Sequence, residues 1–385
     1  VTLGEWFDAQ GLAESVGGTR YVLELANSTP SAANIVAYAE IVREKSVLRQ
    51  LIDAGMEITG DGFRPEGRSS QELVESAEQK VFQIAEAGSR GRQGFVPMRS
   101  AVKEAFRLLQ ERYESRSPIT GLPTGFNDLD YKTAGLQAGD LIIIAARPSM
   151  GKTALSLNIA EYAAIKTGKA AAVFSMEMSS SQLAFRLISS LGRINQQHLR
   201  TGELADEEWP RVTSAITMLS EAKIFIDDTP SLSPLELRAR ARRLKREHDL
   251  GLIVVDYLQL MQVPGNKENR ATEISEISRS LKALARELGV PVIALSQLNR
   301  SLEQRTDKRP VMADLRESGA IEQDADVIIF IYRDDYYNKE SADKGLAEVI
   351  IGKQRNGPTG SIKLKFFGEY TRFDNLAHDA VGSFE

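Results

Sequence analysis

The sequence from residue 141 to residue 160, LIIIAARPSMGKTALSLNIA, decides the fold. Residues 141–144 form an apolar run that is typical of a buried β-strand, and residues 154–160 have the character of a helix. The polar turn between them ends in Gly-Lys-Thr at residues 151–153. A strand, a loop and a helix in this order are the context that a phosphate-binding P-loop requires. The stretch therefore predicts a nucleotide-binding α/β domain.

Each part of the predicted P-loop has an expected task. Backbone N–H groups and the positive end of the helix dipole attract the phosphates. Lys152 would reach the β- and γ-phosphates of ATP, and the Thr153 hydroxyl would coordinate Mg²⁺. Ala146 stands where the pattern usually has Gly, so a polar strand–helix turn without a ligand remains an alternative. The predicted nucleotide-binding residues of the loop are Ser149, Met150, Gly151, Lys152, Thr153 and Ala154.

Composition and charge limit the possible classes of protein. The chain has 385 residues, which is enough for two domains, and its 42% hydrophobic and 26% charged residues are typical of a globular protein. The absence of cysteine excludes disulfides and Cys-based zinc sites. A formal charge of −5 argues against a protein that coats nucleic acid through bulk positive charge. With no membrane-length apolar run and no visible secretory signal, we expect a cytoplasmic protein whose sequence begins within a longer native chain.

The first part of the chain, residues 1–95, is predicted to be a partial, all-α N-terminal domain followed by a linker. One helix pattern opens at residues 31–34, a break is predicted from Gly60 to Pro65, and a second helix is predicted over 70–87. Two helices with one apolar face each suggest an antiparallel hairpin that packs against a partner. The Gly- and Arg-rich residues 88–94 have the composition of a linker.

Residues 96–116 are predicted to form a linker helix, which covers about 98–115 and has an apolar stripe that needs a docking surface. From 117 to 385 the pattern alternates apolar strands with helices. This alternation predicts a mostly parallel sheet with helices on both faces, and the last two strands read as an antiparallel hairpin at one edge. The predicted strands are 141–145, 171–175, 224–226, 252–255, 292–295, 327–331, 347–351 and 362–366.

Three predicted strands end in residues that are able to act on a bound nucleotide. Asp256 follows an apolar strand and would complete the Mg²⁺ shell opposite Thr153, because the carboxyl ends of parallel strands meet at the edge that carries the P-loop. Glu177 is a candidate for orienting the attacking water, although an acid in the first turn of a helix is an equally good interpretation. Gln297 is a candidate sensor of the γ-phosphate, since an amide both donates and accepts hydrogen bonds.

Six motifs in order identify a family. Taken together they resemble the bacterial replicative DNA helicases of the DnaB type, over the whole core domain and into the helical N-terminal part. In that family Ala at position 146 is acceptable, which removes most of the objection to the P-loop. The motifs are residues 147–153, 175–178, 256–260, 296–298, 315–319 and 353–357.

The resemblance implies a ring-shaped homohexamer with RecA-like cores and ATP bound between adjacent subunits. It makes Glu177 the catalytic carboxylate, Asp256 the acid that supports the metal, and Gln297 the γ-phosphate sensor. Arg355, with Lys353 beside it, would be the arginine finger supplied to the neighbouring site, although these two residues alone read as charges that protect an edge strand. The remaining implied nucleotide contact is Arg186.

The resemblance also implies contacts with single-stranded DNA in the central channel of the ring. Two segments, 300–309 and 315–319, match the DNA-facing loops of the family, and a solvated loop of mixed charge is the alternative for both. A denser basic run between Arg238 and Arg246 is expected to be a solvated or subunit-facing surface instead. The candidate DNA-binding residues, which would hold phosphates without reading bases, are Arg300, Arg316, Glu317 and Gly319.

The implied function is replicative unwinding of duplex DNA, driven by ATP hydrolysis during translocation along one strand in the nucleoid. Primase and a helicase loader are the implied protein partners. Two alternatives share the core motifs: a recombinase or other RecA-like oligomeric ATPase, and a nucleotide-gated scaffold without motor activity. The helical N-terminal domain, the linker helix and the Lys353–Arg355 element favour the helicase.

Overall fold

The computed structural model describes residues 35–70, 72–74, 76–78, 80, 81, 84, 95–115, 117–263, 269–315 and 319–376. The chain separates into two compact units, Val1–Leu108 and Leu109–Glu385. The boundary between the units falls inside one helix, and the predicted division at 95 and 116 stays a prediction. The predicted linker at 88–94 and the predicted helix start at 31–34 lie outside the described residues.

The first unit contains helix α1 (Ile35–Phe63), helical residues between 70 and 84, and most of helix α2 (Met98–Ser115). The predicted break from Gly60 to Pro65 begins too early, because α1 continues through Gly62 to Phe63 and the chain leaves helical geometry only at Arg64. Glycine inside a helix costs only about 1 kcal/mol, whereas Pro65 disfavours helical geometry in the residue before it, and the turn lies there. Lys80 Nζ lies 3.0 Å from Asp61 Oδ2, an ion pair that joins the second helical segment to α1.

The second unit is built on one nine-stranded sheet with the order β3-β2-β4-β5-β1-β6-β7-β8-β9. Strands β1 to β6 are parallel where they pair, and β7, β8 and β9 continue the sheet as antiparallel neighbours. The strands are β1 (Leu141–Ala146), β2 (Ala170–Ser175), β3 (Ile224–Asp227), β4 (Leu250–Asp256), β5 (Val292–Gln297), β6 (Val327–Tyr332), β7 (Leu346–Gln354), β8 (Gly360–Phe367) and β9 (Arg372–Asn375).

Helices cover both faces of this sheet. They are α3 (Asn127–Thr133), α4 (Lys152–Lys166), α5 (Ser180–Gly192), α6 (Gln196–Thr201), α7 (Trp209–Glu221), α8 (Pro234–Glu247), α9 (Arg270–Leu288), α10 (Gly319–Asp324) and α11 (Asp334–Tyr337). Short 3₁₀ helices are Leu258–Leu260, Arg300–Gln304, Met312–Asp314 and Gly368–Tyr370.

Alternating side chains of the central strands fill two separate cores. Every residue of β1 is buried, with Ile142 and Ile144 on one face and Leu141 and Ile143 on the other, because successive side chains of a strand point to opposite faces. The first face packs on α4 and α5, and the second on α8 and α9. The predicted α/β class, with helices on both faces of a mostly parallel sheet, is confirmed.

The antiparallel side of the sheet has one strand more than predicted. The antiparallel hairpin of β7 and β8 is present, but β9 adds a third antiparallel strand that the sequence pattern does not predict. Only Phe373 in β9 is both apolar and buried, so the strand has no apolar run to reveal it. A side-chain bond holds it instead: the Phe373 N–H donates to Asn158 Oδ1 of α4 at 2.9 Å. Within the described residues, no helix has the length and apolarity to cross a membrane.

Candidate functional site

The parallel sheet brings four strand ends to one edge. Ala146 at the end of β1 is opposite Gln297 at the end of β5, and Ser175 at the end of β2 is opposite Asp256 at the end of β4. Helix α4 begins at Lys152, immediately after the loop that leaves β1. The P-loop, Glu177, Asp256 and Gln297 therefore lie at the same carboxyl edge, where ligands bind in open α/β sheets.

The loop before α4 has a backbone that depends on glycine. Gly151 has a φ of +101°, and a Cβ atom there would lie 2.8 Å from Cζ of Phe373 on β9. Ser149 also has a positive φ, of 67°, and its carbonyl accepts a hydrogen bond from Arg333 Nη1 at 3.3 Å. Met150 is buried. Phe373 of β9 and Arg333, just after β6, thus contact the loop on one side. The N–H groups of the loop and the start of α4 remain available to an anion.

Thr153 and Asp256 form the part of the site that is suited to a metal ion. The Thr153 hydroxyl donates to Asp256 Oδ2 at 2.8 Å. The other carboxylate oxygen, Oδ1, is buried and makes no hydrogen bond to any residue that the structure describes. A hydroxyl and a buried carboxylate oxygen that accepts no hydrogen bond from the described residues are hard oxygen donors of the kind that Mg²⁺ prefers. The residues present therefore fit the predicted ion.

Lys152 lies among the groups that are predicted to act on ATP. Its Nζ is 3.5 Å from Asp256 Oδ1, 3.9 Å from Glu177 Oε2 and 3.9 Å from the centre of the Tyr257 ring. The Lys152 side chain is 14% exposed and the Glu177 side chain 51% exposed. The ammonium group is thus held inside the site by two carboxylates and an aromatic face, while Glu177 remains open to water.

Arg186 of α5 faces the same charges. Burial lowers the pKa of its guanidinium, while the nearby carboxylates of Asp256 and Glu177 act in the opposite direction. Its Nε atom is buried and has no hydrogen-bond partner among the described residues. The pKa of the Tyr257 hydroxyl is raised, first by burial and then by the negative charges of Glu177 and Asp256. These two residues complete the wall of the site on the side of β2 and β4.

Gln297 is positioned by a second glutamine. Its backbone N–H donates to Gln259 Oε1 at 3.3 Å, and Gln259 Nε2 donates to the Ser296 hydroxyl at 2.9 Å. Gln259 belongs to the short 3₁₀ helix directly after Asp256 and Tyr257. The ends of β4 and β5 are therefore linked by side chains as well as by the sheet.

Arg355 and Lys353 lie away from this edge. Arg355 Nε is 3.4 Å from Asp326 Oδ1, and the other oxygen of Asp326 accepts the N–H of Leu141, the first residue of β1. Arg355 Nη2 also donates to the Gln323 carbonyl at 2.7 Å. The P-loop follows the last residue of β1, so Arg355, the arginine-finger candidate, and its neighbour Lys353 lie at the opposite end of the strands from the P-loop.

Lys353 is bound to the end of a short helix. Its Nζ donates to the carbonyl of Ala325 at 2.7 Å and to that of Glu322, both at the carboxyl end of α10. Burial, and then the positive charge of Arg355, lower the pKa of Lys353. Within one subunit the structure brings neither Lys353 nor Arg355 to the other predicted catalytic residues.

The candidate DNA-binding residues are only partly described. Arg300 begins a 3₁₀ helix after β5 and is exposed, and Gly319 is the exposed first residue of α10. Arg316 and Glu317 lie outside the described residues. The basic run on α8 is engaged in surface ion pairs, such as Arg240 with Asp227 at 2.6 Å.

Several residues of the site carried no prediction. Tyr257 and Gln259 stand in a motif that points to Asp256, but a sequence pattern does not reveal a ring under Lys152 or a bond to Gln297. Arg333 directly follows an apolar strand, and a polar residue at such a strand end is the same signal that marks Asp256 and Gln297. Phe373 gives no such signal, since its strand is short and polar.

Comparison with known proteins agrees with this architecture. Residues 121–375 match the model of the DnaB-like helicase C-terminal domain, and residues 1–44 match that of the DnaB-like helicase N-terminal domain. The replicative DNA helicase DnaB of Haemophilus influenzae is 53% identical over 98% of this chain and 82% of its own. The DnaB of Geobacillus stearothermophilus is 52% identical over the same shares of the two chains.

Two solved structures show the same fold over long stretches. One is an isolated ATPase domain that is 44% identical, with a TM-score of 0.69, and the match covers 71% of this chain and 98% of that domain. A DnaB-like replicative helicase, solved in a study of its interactions with primase, is 37% identical with a TM-score of 0.76. That match covers 94% of this chain and 84% of the other. The second unit therefore has the fold of this type of ATPase, as the resemblance implied.

Proposed function

Because the chain belongs to the DnaB-like helicase family and is a replicative DNA helicase, we propose that it hydrolyses ATP between adjacent subunits of a homohexamer. Hydrolysis drives translocation on single-stranded DNA and unwinding of the duplex at the fork. The observation that carries the proposal is the cluster at the carboxyl edge of the sheet. There Lys152, Glu177 and the Thr153–Asp256 pair lie within a few ångströms of one another.

Lys152 exchanges partners when ATP binds. In the free site its ammonium is paired with Asp256 and Glu177, both within 4 Å. The γ-phosphate offers a stronger and more charged acceptor, so Lys152 turns toward it and releases Glu177. The loop N–H groups between Ser149 and Thr153, with Ala154 at the start of the helix, hold the remaining phosphate oxygens.

Thr153 and Asp256 are the residues that would hold Mg²⁺, directly or through its waters. When bound there, the ion would supply positive charge that offsets the negative charge of the phosphates. Asp256 accepts the hydrogen bond of the Thr153 hydroxyl, so the hydroxyl proton points to Asp256 and the oxygen lone pairs remain available to a metal ion. Arg186, with no hydrogen-bond partner for Nε among the described residues, contacts the nucleotide beside them.

Glu177 orients the attacking water and accepts its proton. Its side chain is half exposed, so water reaches it, and release from Lys152 leaves the carboxylate free to act as the base. Gln297 reports the γ-phosphate, since its backbone is tied to Gln259 and its side-chain amide is able to donate to a phosphate oxygen. A change in the bound nucleotide therefore changes the hydrogen bonds of Gln297, the last residue of β5.

Arg355, supported by Lys353, serves the site of the neighbouring subunit. Both residues project from the edge of the sheet that is opposite the subunit's own P-loop. A ring in which this edge meets the next P-loop supplies the guanidinium to the transition state, which is typically worth about 10³–10⁵ in rate. Asp326 and the α10 carbonyls hold the finger in place when no nucleotide is present.

Single-stranded DNA meets the segments 300–309 and 315–319 in the channel of the ring, with Arg300, Arg316, Glu317 and Gly319 as the contact residues. A helicase loader is the further proposed partner. Primase is proposed as a partner because the solved DnaB-like relative was studied in its interactions with primase. The proposed domains are 1–95, 96–116 and 117–385, and the place of action is the cytoplasm, at the nucleoid.

A strand-displacement assay tests the function. A forked duplex with a fluorescent strand is incubated with the protein, ATP and Mg²⁺, and release of the strand is followed over time. The wild type displaces the strand, whereas Lys152→Ala rings of the same mass do not. Nucleotide-dependent DNA binding without displacement favours the recombinase or scaffold alternatives, and it contradicts the proposed motor.

A further inference from the structure

Arg147, the first residue of the P-loop motif, is joined to the segment that follows β5. Its side chain is only 8% exposed. Nε donates to Glu303 Oε1 at 2.8 Å, and Nη1 donates to the Leu298 carbonyl at 3.0 Å. The planar guanidinium holds its donors in a rigid fork, so it fixes the segment relative to the loop in a way that a lysine ammonium does not.

The segment from Leu298 to Arg305, which we call the 298–305 segment, is internally braced. Leu298 N–H donates to the Ala146 carbonyl at 3.2 Å, which ties the segment to the end of β1 a second time. Leu302 is 1% exposed and anchors the 3₁₀ helix in the core beneath the sheet. The segment is therefore bonded at several points to the start of the P-loop.

The same segment is connected to the stretch of chain that leads into α10. Asn299 N–H donates to the Asp314 carbonyl at 2.9 Å, and Arg305 Nη2 donates to Asp314 Oδ2 at 2.8 Å. Leu298 and Leu315 form an isolated antiparallel bridge. A continuous chain of hydrogen bonds thus leads from Arg147 through the 298–305 segment to residue 315, where the second candidate DNA-facing segment begins.

We propose that the Arg147–Glu303 pair is a positioning pair that couples the nucleotide state of the P-loop to the affinity for single-stranded DNA. The inference rests on the proposed function, since it uses the same P-loop and the same DNA-facing segments. Removing the Glu303 carboxylate leaves a buried guanidinium without its charged partner, and an unpaired buried charge is unfavourable. Arg147 and Glu303 therefore remain together while the loop adjusts to the phosphates.

The test measures how strongly the two ligands influence each other. Binding of a fluorescent oligothymidine to the full-chain hexamer is measured by anisotropy, with and without a non-hydrolysable ATP analogue and Mg²⁺. Coupling between two sites typically changes affinity by about 5- to 150-fold, and it is reciprocal, so oligothymidine raises the affinity for the analogue by the same factor. In Glu303→Gln the analogue changes the affinity for oligothymidine by less than about 2-fold, and oligothymidine changes the affinity for the analogue by less than about 2-fold. The coupling between the two sites is then lost.

Two further variants make the result specific. Asp343→Asn removes a partly exposed carboxylate that is paired with Lys363 Nζ at 2.9 Å, outside the P-loop and both DNA-facing segments, and it retains the wild-type factor. Arg147→Lys keeps the charge but not the fork, and it reduces the factor as Glu303→Gln does. Glu303 is 42% exposed, so Glu303→Gln is expected to fold and to form rings of normal mass, which is measured alongside.

The outcomes separate this inference from the function on which it rests. A wild-type factor in Glu303→Gln overturns the inference, and so does an equal loss of DNA affinity in the presence and absence of the analogue, which would make Glu303 a simple DNA contact. A wild type that binds both ligands without any coupling overturns it as well. A wild type that neither binds single-stranded DNA nor displaces a strand refutes the proposed function instead.

Discussion

The position of Arg355 predicts the result of a subunit-mixing experiment. Arg355 is paired with Asp326, which also accepts the N–H of Leu141 at the first residue of β1. The P-loop starts after Ala146, the last residue of β1. At about 3.3 Å per residue the strand separates these ends by about 16 Å, so the guanidinium does not reach its own γ-phosphate. Arg355→Ala alone, and Lys152→Ala alone, should each be inactive.

The magnitude expected for a mixture follows from counting interfaces. An active interface needs Lys152 from one subunit and Arg355 from the next. In rings assembled at random from equal amounts of the two variants, each requirement is met about half of the time, so about a quarter of the interfaces are intact. If interfaces hydrolyse independently, the mixture reaches about a quarter of the wild-type rate, and the rate falls toward either pure variant.

The assay is ATP hydrolysis across a series of mixing ratios, with mass measurement to establish that mixed rings form. The matched control mixes Lys152→Ala with Glu177→Ala. Lys152 and Glu177 lie 3.9 Å apart on one subunit, so every site in that mixture lacks one of them and no activity returns. Mixed Arg355 rings that stay inactive at every ratio refute the reasoning, and equal recovery in the control mixture does so too.

Three single substitutions give further predictions. Lys152→Ala lowers the hydrolysis rate at least about 100-fold because a charged donor to the phosphates is lost, and near-normal turnover in a steady-state assay contradicts the P-loop assignment. Gly151→Ala combines a positive φ, which costs about 1–2 kcal/mol, with a 2.8 Å clash against Phe373, which adds about 1–3 kcal/mol. In urea unfolding the control Gly168→Ala loses only the stability that the positive φ costs, because Gly168 has a φ of +70° and open space around it. Equal losses of unfolding free energy in Gly151→Ala and Gly168→Ala contradict the packing argument. Burial raises the pKa of Glu161 above 4.5, so the folded state binds this proton more tightly and stability from this group falls as pH rises through the window above 4.5. The stability of Glu161→Gln relative to wild type should therefore increase with pH over that window, and a decrease contradicts the assignment.

The central parallel strands of the sheet were predictable because their residues are apolar on both faces, and β8 because its apolar residues alternate with polar ones. All eight predicted strands are present, and the buried runs in β1 and β6 are the clearest examples. Strand β9 was not predictable, because its stability comes from one buried ring and from bonds to α4 that connect distant parts of the chain. Helix α1 passes the predicted break at Gly60 because a glycine within a helix costs only about 1 kcal/mol, whereas Pro65 disfavours helical geometry in the residue before it.

The residues of the candidate site were likewise predictable only in part. Asp256, Gln297 and Glu177 were found at strand ends because parallel strands place their carboxyl ends at one edge, a rule that needs no side-chain detail. The contacts of Tyr257 and Arg333 depend on how strands distant in sequence are ordered in the sheet, and no local pattern encodes that order. The opposite location of Arg355 follows from the antiparallel direction of β7 relative to β6, which the predicted hairpin of β7 with β8 did not specify.

The claim that the catalytic site is completed by a neighbouring subunit is tested most directly by turnover as a function of assembly. The full chain is diluted through its assembly range in the presence of ATP and Mg²⁺, and the mass distribution and the hydrolysis rate per subunit are measured on the same samples. The account predicts that the rate per subunit rises with the fraction of chain in rings and is close to zero in the monomer. A monomer that hydrolyses ATP at the full ring rate would contradict it.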